Sequence, residues 1–122
     1  MTPTIETILN HRSVRHFTEQ AIEADLLEQI LNCALAASSS SFIQCSSIIR
    51  VSKIENRKKL ADYAGGQPYV ASATEFLVFC ADFSRHQQIH PQAQLGFFEQ
   101  TLISAIDTGL MGQNALLAAE SL

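Results

Sequence analysis

The stretch HRSVRHF, residues 11–17, gathers His11, Arg12, Arg15 and His16 around Ser13. The whole chain holds only 8 Lys and Arg against 12 Asp and Glu, for a formal charge of −4. A small basic cluster in an acidic chain suits a compact anion. Guanidinium groups offer forked, permanently charged donors that match phosphate oxygens, and the Ser13 hydroxyl adds one more. A plainer reading stands beside this one. The cluster follows a helical segment, and cations at a helix C-terminus gain roughly 0.3–1 kcal/mol from the macrodipole.

Other chemistry-bearing residues are sparse. Ser38–Phe42, SSSSF, supplies hydroxyl donors. It reads either as a solvated linker or as a loop held in place. Serines compete for local backbone hydrogen bonds and end helices. Apolar groups bracket the run and no glycine or charge lies nearby, which favours a held loop. Gln67 follows Gly65 and Gly66, and its amide can both donate and accept. His86 and His90 stand four apart, a spacing that holds zinc on some helices. No Glu intervenes in an HExxH pattern and no third ligand is evident, so both are expected to be exposed surface histidines, with no metal. Neither a glycine-rich phosphate loop nor a recognisable Ser/His/Asp context is present.

Composition sets the frame. A length of 122 residues with 47% apolar content allows one domain with a core. The acidic balance argues against nucleic acid as a partner. MTPTIETILN lacks the features of a signal peptide. Cys33, Cys45 and Cys80 are odd in number and without CxxC spacing, which suggests reduced, buried and inert thiols in a cytoplasmic setting. Leu102–Ala119 imitates a membrane span, but Asp107, Gln113 and Asn114 interrupt it. An ionised Asp is costly in lipid, so the segment is expected to be a buried helix of a soluble protein.

These residues need elements to position them. Pro3 suits the first turn of a short helix with Thr2 as N-cap, running to about Asn10. A second helix is expected from about Glu23 to Ala37, with Ile22, Leu26, Leu27, Ile30, Leu31 and Leu35 as its apolar stripe. Ser46–Ser52 reads as a strand. IENRKKLADYA reads as a helix stopped at Gly65-Gly66. Glu75–Phe83 is a continuous apolar run and reads as a central strand. From about Gln92 the pattern is helical to the end. Ala105, Gly109, Gly112, Ala115 and Ala119 share one face of that helix, which fits close approach of another helix. Its other faces are apolar too, so it is expected to be buried all round. Two strands make a marginal sheet, and the chain stops inside an apolar helix. Either a partner chain supplies the missing layer or the sequence is the front part of something longer.

The segments TIETILNHRSVRHFT, LAASSSSFIQCSSIIRV, AGGQPYV, EFLVFCADFSRH and LISAIDTGLMGQNALLAAESL resemble, in order and spacing, the front half of the nitroreductase family. The resemblance implies an α+β fold, with a central antiparallel-type sheet flanked by helices in an intertwined homodimer. Residues 1–122 would be the N-terminal part of a single FMN-dependent domain. His11, Arg12, Ser13 and Arg15 would bind FMN, with Arg15 near the flavin ring. Ser39, Ser40, Ser41 and Phe42 would reach the flavin of the partner subunit. Gln67 would face the ring edge, and the small-residue helix would lie at the dimer interface.

The implied activity is ping-pong: NADPH reduces FMN, and a nitroaromatic, a quinone or free flavin then takes two electrons. Catalysis would rest on the flavin rather than on a catalytic side chain. Family members are longer, with a glycine-rich flavin segment and further basic residues beyond the position of Leu122. Two alternatives remain open. One is a non-catalytic helical dimerisation module, or an inactive fragment that retains no flavin. The other is a flavin-storing protein without turnover.

Overall fold

The computed structural model describes residues 1–122. Eight elements follow in chain order: α1 (Pro3–Asn10), α2 (Ala24–Leu35), β1 (Ser46–Arg50), α3 (Ile54–Tyr63), α4 (Tyr69–Ser72), β2 (Leu77–Ala81), α5 (Ser84–Ile89) and α6 (Phe98–Ser121). A 3₁₀ turn at Ser40–Phe42 lies between α2 and β1.

Local chemistry explains most boundaries. Pro3 opens α1 behind an extended Thr2, where a missing N–H goes unnoticed. α3 ends on Gly65 and Gly66, both at positive φ (81° and 77°), and the Gly66 N–H returns to the Ala61 carbonyl at 2.9 Å. That left-handed exit strains any residue with a Cβ. α6 starts later than the expected Gln92. Gly96 at φ 99° turns the chain first, and Gln100 Oε1 then accepts the Phe97 N–H at 3.1 Å.

The expected strands are shorter than their apolar runs. β1 and β2 pair antiparallel, with Ile48 opposite Phe79. Within this chain β2 pairs only with β1, so the central position that its apolar run suggests is not formed by these two strands. Arg57, 8% exposed, joins α3 to the sheet by donating to the carbonyls of Val51 (2.6 Å), Ala73 and Thr74 (3.2 Å).

The core sits where α2 and α6 cross over one face of the sheet. Ile30, Ala34 and Ala115 form its centre, with Ile48, Phe79, Met111 and Ala118 packed around it. Of the expected α2 stripe, Leu27 and Ile30 are buried, whereas Ile22 and Leu35 stay exposed.

α6 is not buried all round. Ser104, Asp107 and Ala115 face inward, while Leu102, Ile106, Leu110 and Leu116 are all more than 40% exposed. A Cβ built on Gly109 meets nothing within 4 Å, and one built on Gly112 meets Phe79 at an ordinary 3.9 Å. Of the helix partner expected for the small-residue face, this chain supplies α2, which meets it at Ala115 through Ile30 and Ala34, while nothing approaches Gly109. No helix is long and apolar enough to cross a membrane. The cysteines divide: Cys45 is fully buried, Cys80 half-buried, and Cys33 exposed, contrary to the expectation of uniform burial.

Candidate functional site

His11 is the C-cap of α1, and residues 11–20 continue without helix or strand. The last turn of α1 holds no basic residue, so the cations lie beyond the helix end rather than upon it. Arg12 Nη1 donates to the His11 carbonyl at 2.6 Å, and His11 Nδ1 lies 2.6 Å from Glu120 Oε1 in the last turn of α6. His11, Arg12, Ser13 and Arg15 are all exposed. His11 and Arg12 line an open cleft whose rim also carries Glu6 and Glu120.

The serine run is a held loop, not a linker. Ser41, Phe42 and Gln44 adopt φ of 50°, 55° and 57°, the only positive values among non-glycine residues of the chain. Left-handed backbone costs an L-residue roughly 1–2 kcal/mol, and such conformations persist only where neighbours fix them. Three elements do so. From α6, Asp107 accepts the Ser40 N–H at 2.9 Å, the Ser40 hydroxyl at 3.0 Å and the Ser39 hydroxyl at 3.3 Å. Within the loop, Ser39 Oγ accepts the Gln44 N–H at 2.8 Å. From α5, Arg85 donates to the carbonyls of Gln44 (2.9 Å) and Ser46 (2.8 Å).

His86 completes this clamp, with Nε2 at 2.6 Å from the Ile43 carbonyl. A carbonyl only accepts, so Nε2 carries the proton. His86 is thus half-buried and committed to the loop rather than an exposed surface histidine, while His90 is exposed. No group of three His, Cys, Asp or Glu side chains converges as a metal site.

At the loop tip, Phe42 is 76% exposed. Beneath it Ser39, Gln44, Arg85, Asp107 and Met111 line a cavity of about 100 Å³. Cofactor pockets run to roughly 300–1,000 Å³, so this cavity does not enclose a flavin.

Gln67 lies at the exit of α3, its Nε2 donating to the Ala64 carbonyl at 2.6 Å, which leaves the amide oxygen free to accept. Two residues on, Tyr69 meets Phe17 edge to face with centroids 6.3 Å apart. That contact draws the end of the basic segment toward the Gln67 turn. The serine loop is not drawn in with them: the cleft holding His11 and Arg12 is a different one from the cavity under Ser39 and Phe42.

Two titratable groups near the loop are displaced from their ordinary values. Burial, and then the Asp107 charge, push the Cys45 thiol up, which keeps it protonated and inert. The hydroxyls of Ser47 and Ser84 (each 2.5 Å away), followed by the Ser84 N–H, hold the Asp82 carboxyl down at about 2.

The sequence pattern of the Nitroreductase family matches residues 8–122. The chain belongs to that family. Among curated nitroreductase relatives, it is 56% identical over its whole length to the oxygen-insensitive NADPH nitroreductase of Salmonella typhimurium, covering 51% of that protein. It is 55% identical over its whole length to the NADPH-flavin oxidoreductase of Vibrio harveyi, again covering 51%. Solved family structures agree. Nitroreductase A from Vibrio parahaemolyticus superposes with a TM-score of 0.98 at 58% identity, over 99% of this chain and 51% of that one. The NADPH:FMN oxidoreductase of Vibrio harveyi complexed with NAD+ gives 0.97 at 55% identity, over 98% and 52%. The chain thus has the nitroreductase fold, helices with a small antiparallel sheet, and spans about half the length of these relatives.

Sequence reasoning missed Asp107, Glu120, Arg85 and His86 as neighbours of the expected site. Asp107 stood out only as an interruption of an apolar helix. The same interruption is a usable signal, because a carboxylate on a buried face needs donors from elsewhere.

Proposed function

We propose that this chain is part of an FMN-dependent NADPH oxidoreductase that reduces nitroaromatics, quinones or free flavin by ping-pong two-electron transfer. One observation carries the reading: 55% identity along the entire chain to an NADPH-flavin oxidoreductase, with a basic segment that is open to solvent. The donor set fits the cofactor: exposed guanidinium forks and a hydroxyl for a phosphate, and an amide oxygen left free at Gln67. When bound, FMN supplies the chemistry, accepting a hydride from NADPH and passing two electrons to the acceptor.

The side chains have separate tasks in this reading. His11, Arg12 and Ser13 hold the phosphate and ribityl end. Arg15 sets a fixed positive charge beside the ring, where charge develops on reduction. Gln67 Oε1 accepts from the ring edge. Ser39, Ser40, Ser41 and Phe42 reach a flavin held by the partner subunit of a homodimer, and exposed Phe42 covers it from water. The apolar outer face of α6 is the surface on which the two copies meet. A cytoplasmic setting fits three free thiols.

That same outer face favours one other reading, a non-catalytic dimerisation module, which would be colourless. The deciding experiment is a visible absorption spectrum of the purified chain titrated with FMN, repeated with Arg12→Ala and Arg15→Ala. A charge-assisted hydrogen bond contributes about 1.5–3 kcal/mol, or roughly ten- to a hundredfold in Kd. We expect a bound-flavin spectrum, a loss of that size in each variant, and NADPH oxidation by the flavin-loaded protein. No bound flavin at saturating FMN would overturn the reading for this chain.

A further inference from the structure

We propose that Asp107 is a positioning residue: from the inner face of α6 it fixes the Ser39–Phe42 loop in the left-handed shape that presents Ser41 and Phe42 to a flavin. The proposal rests on the flavin reading above.

Asp107 is 5% exposed, and neither ion pair of the chain includes it. A buried carboxylate without a counterion is expensive to desolvate, so donors must offset that cost. All three of its donors come from the loop: the Ser40 N–H and the hydroxyls of Ser40 and Ser39. The left-handed residues begin at the next position, Ser41. An ionised carboxylate only accepts, with room for about four bonds. An Asn of the same size keeps one accepting oxygen but turns an N–H₂ toward a serine hydroxyl, which must then accept instead of donate, and the whole set loses its charge assistance. The side chain thus matches the loop and not α6, where any small apolar residue would pack.

This assignment divides the serine run. The hydroxyl protons of Ser39 and Ser40 are committed inward to Asp107, so these two reach the flavin by contact alone and not by donating a hydroxyl proton. Ser39 Oγ also accepts the Gln44 N–H, closing the loop behind the turn. Ser41, exposed at φ 50°, is the next hydroxyl in line and points no bond inward. Within Ser39–Phe42, outward donation therefore falls to Ser41, with Phe42 beside it. The loop is distant in sequence from α6, 67 residues from Ser40 to Asp107, yet its shape is set there.

The test compares the unsubstituted chain with Asp107→Asn, Ser40→Ala and the double variant. Two quantities are read: amide hydrogen exchange along the chain, and FMN affinity by spectral titration. Asp107→Asn is expected to speed exchange at residues 39–44 at least tenfold, to leave α3 protected, and to weaken FMN at least tenfold. The double variant is expected to lose no more than Asp107→Asn alone, because Ser40 and Asp107 act through one contact. Asp107→Asn binding FMN as the unsubstituted chain does would overturn the proposal. So would fully additive losses. So would global loss of protection in Asp107→Asn combined with unchanged FMN affinity in Ser40→Ala, which would make Asp107 a core residue only. If the unsubstituted chain binds no FMN, the flavin reading itself falls and takes this assignment with it.

Discussion

His11 Nδ1 and Glu120 Oε1 lie 2.6 Å apart, although 109 residues separate them. The contact joins the C-cap of α1 to the last turn of α6, so the start of the basic segment is tethered to the same helix that carries Asp107. One long helix thereby anchors both candidate site segments. Its 24 residues span roughly 36 Å at 1.5 Å per residue.

The tether itself is weak. Both side chains are partly exposed, at 42% and 28%. When the imidazole is protonated this contact is an exposed ion pair, which contributes about 0.2–1 kcal/mol and is screened by salt. Glu120→Gln is therefore expected to lower stability by less than about 1 kcal/mol. Urea midpoints should differ at low salt and converge at about 1 M salt, where the screening length is about 3 Å. A larger, salt-independent loss would show that Glu120 packs rather than pairs.

The sequence carried the local part of this architecture. Pro3, the α2 stripe, the β-branched run at Ser46–Ser52, the apolar run at Glu75–Phe83 and Gly65-Gly66 mark their elements because each signal acts within a few residues. The serine run was legible as a held loop because Phe42 and Ile43 follow it directly. What held the loop was not legible, since Asp107, Arg85 and His86 reach it from 41 to 68 residues away. α6 misled for another reason. A helix apolar on every face has no moment, so its periodicity cannot say which face meets α2 and which is left outward. The basic cluster could be found, but not its separation from the serine loop, because spacing along the chain says nothing about which cleft a segment lines.

Within α2, burial separates two neighbours of similar chemistry. Ile30 is 7% exposed and sits in the core cluster, whereas Leu35 is 65% exposed. Ile30→Ala should cost about 2–5 kcal/mol, through lost transfer energy and the cavity left against Ala115. Leu35→Ala should change stability by no more than about 0.5 kcal/mol in the isolated chain. Thermal midpoints of the two variants decide it. Equal losses would mean that α2 is rotated relative to the arrangement described above.

Asp82 sets the acid limit of the β2–α5 junction. Its carboxyl falls from an ordinary 3.8 to about 2 because Ser47 and Ser84 donate to the ionised form. A depressed folded value favours the native state above the unfolded value, and that contribution disappears as pH falls from 3.8 through about 2. Stability of the unsubstituted chain should therefore drop across that window. Asp82→Asn should be less stable at neutral pH and show a flatter acid limb in thermal midpoints. An unchanged acid limb in the variant would assign the acid sensitivity to other carboxylates.

Gly109 tests the outer face of α6. Nothing lies within 4 Å of a Cβ built there, and its backbone is helical. Glycine in a helix interior costs about 1 kcal/mol relative to alanine. For a lone chain, Gly109→Ala should raise stability by about that amount. If two copies meet through Leu102, Ile106, Leu110 and Leu116, the missing side chain is what lets the helices approach, and the added methyl separates them. The variant should then unfold at higher denaturant when dilute yet dimerise more weakly when concentrated. Sedimentation velocity over a concentration series, paired with urea unfolding at low concentration, reads both effects. A stabilised chain with unaltered self-association would show that the copies do not pack across Gly109, and would move the interface elsewhere.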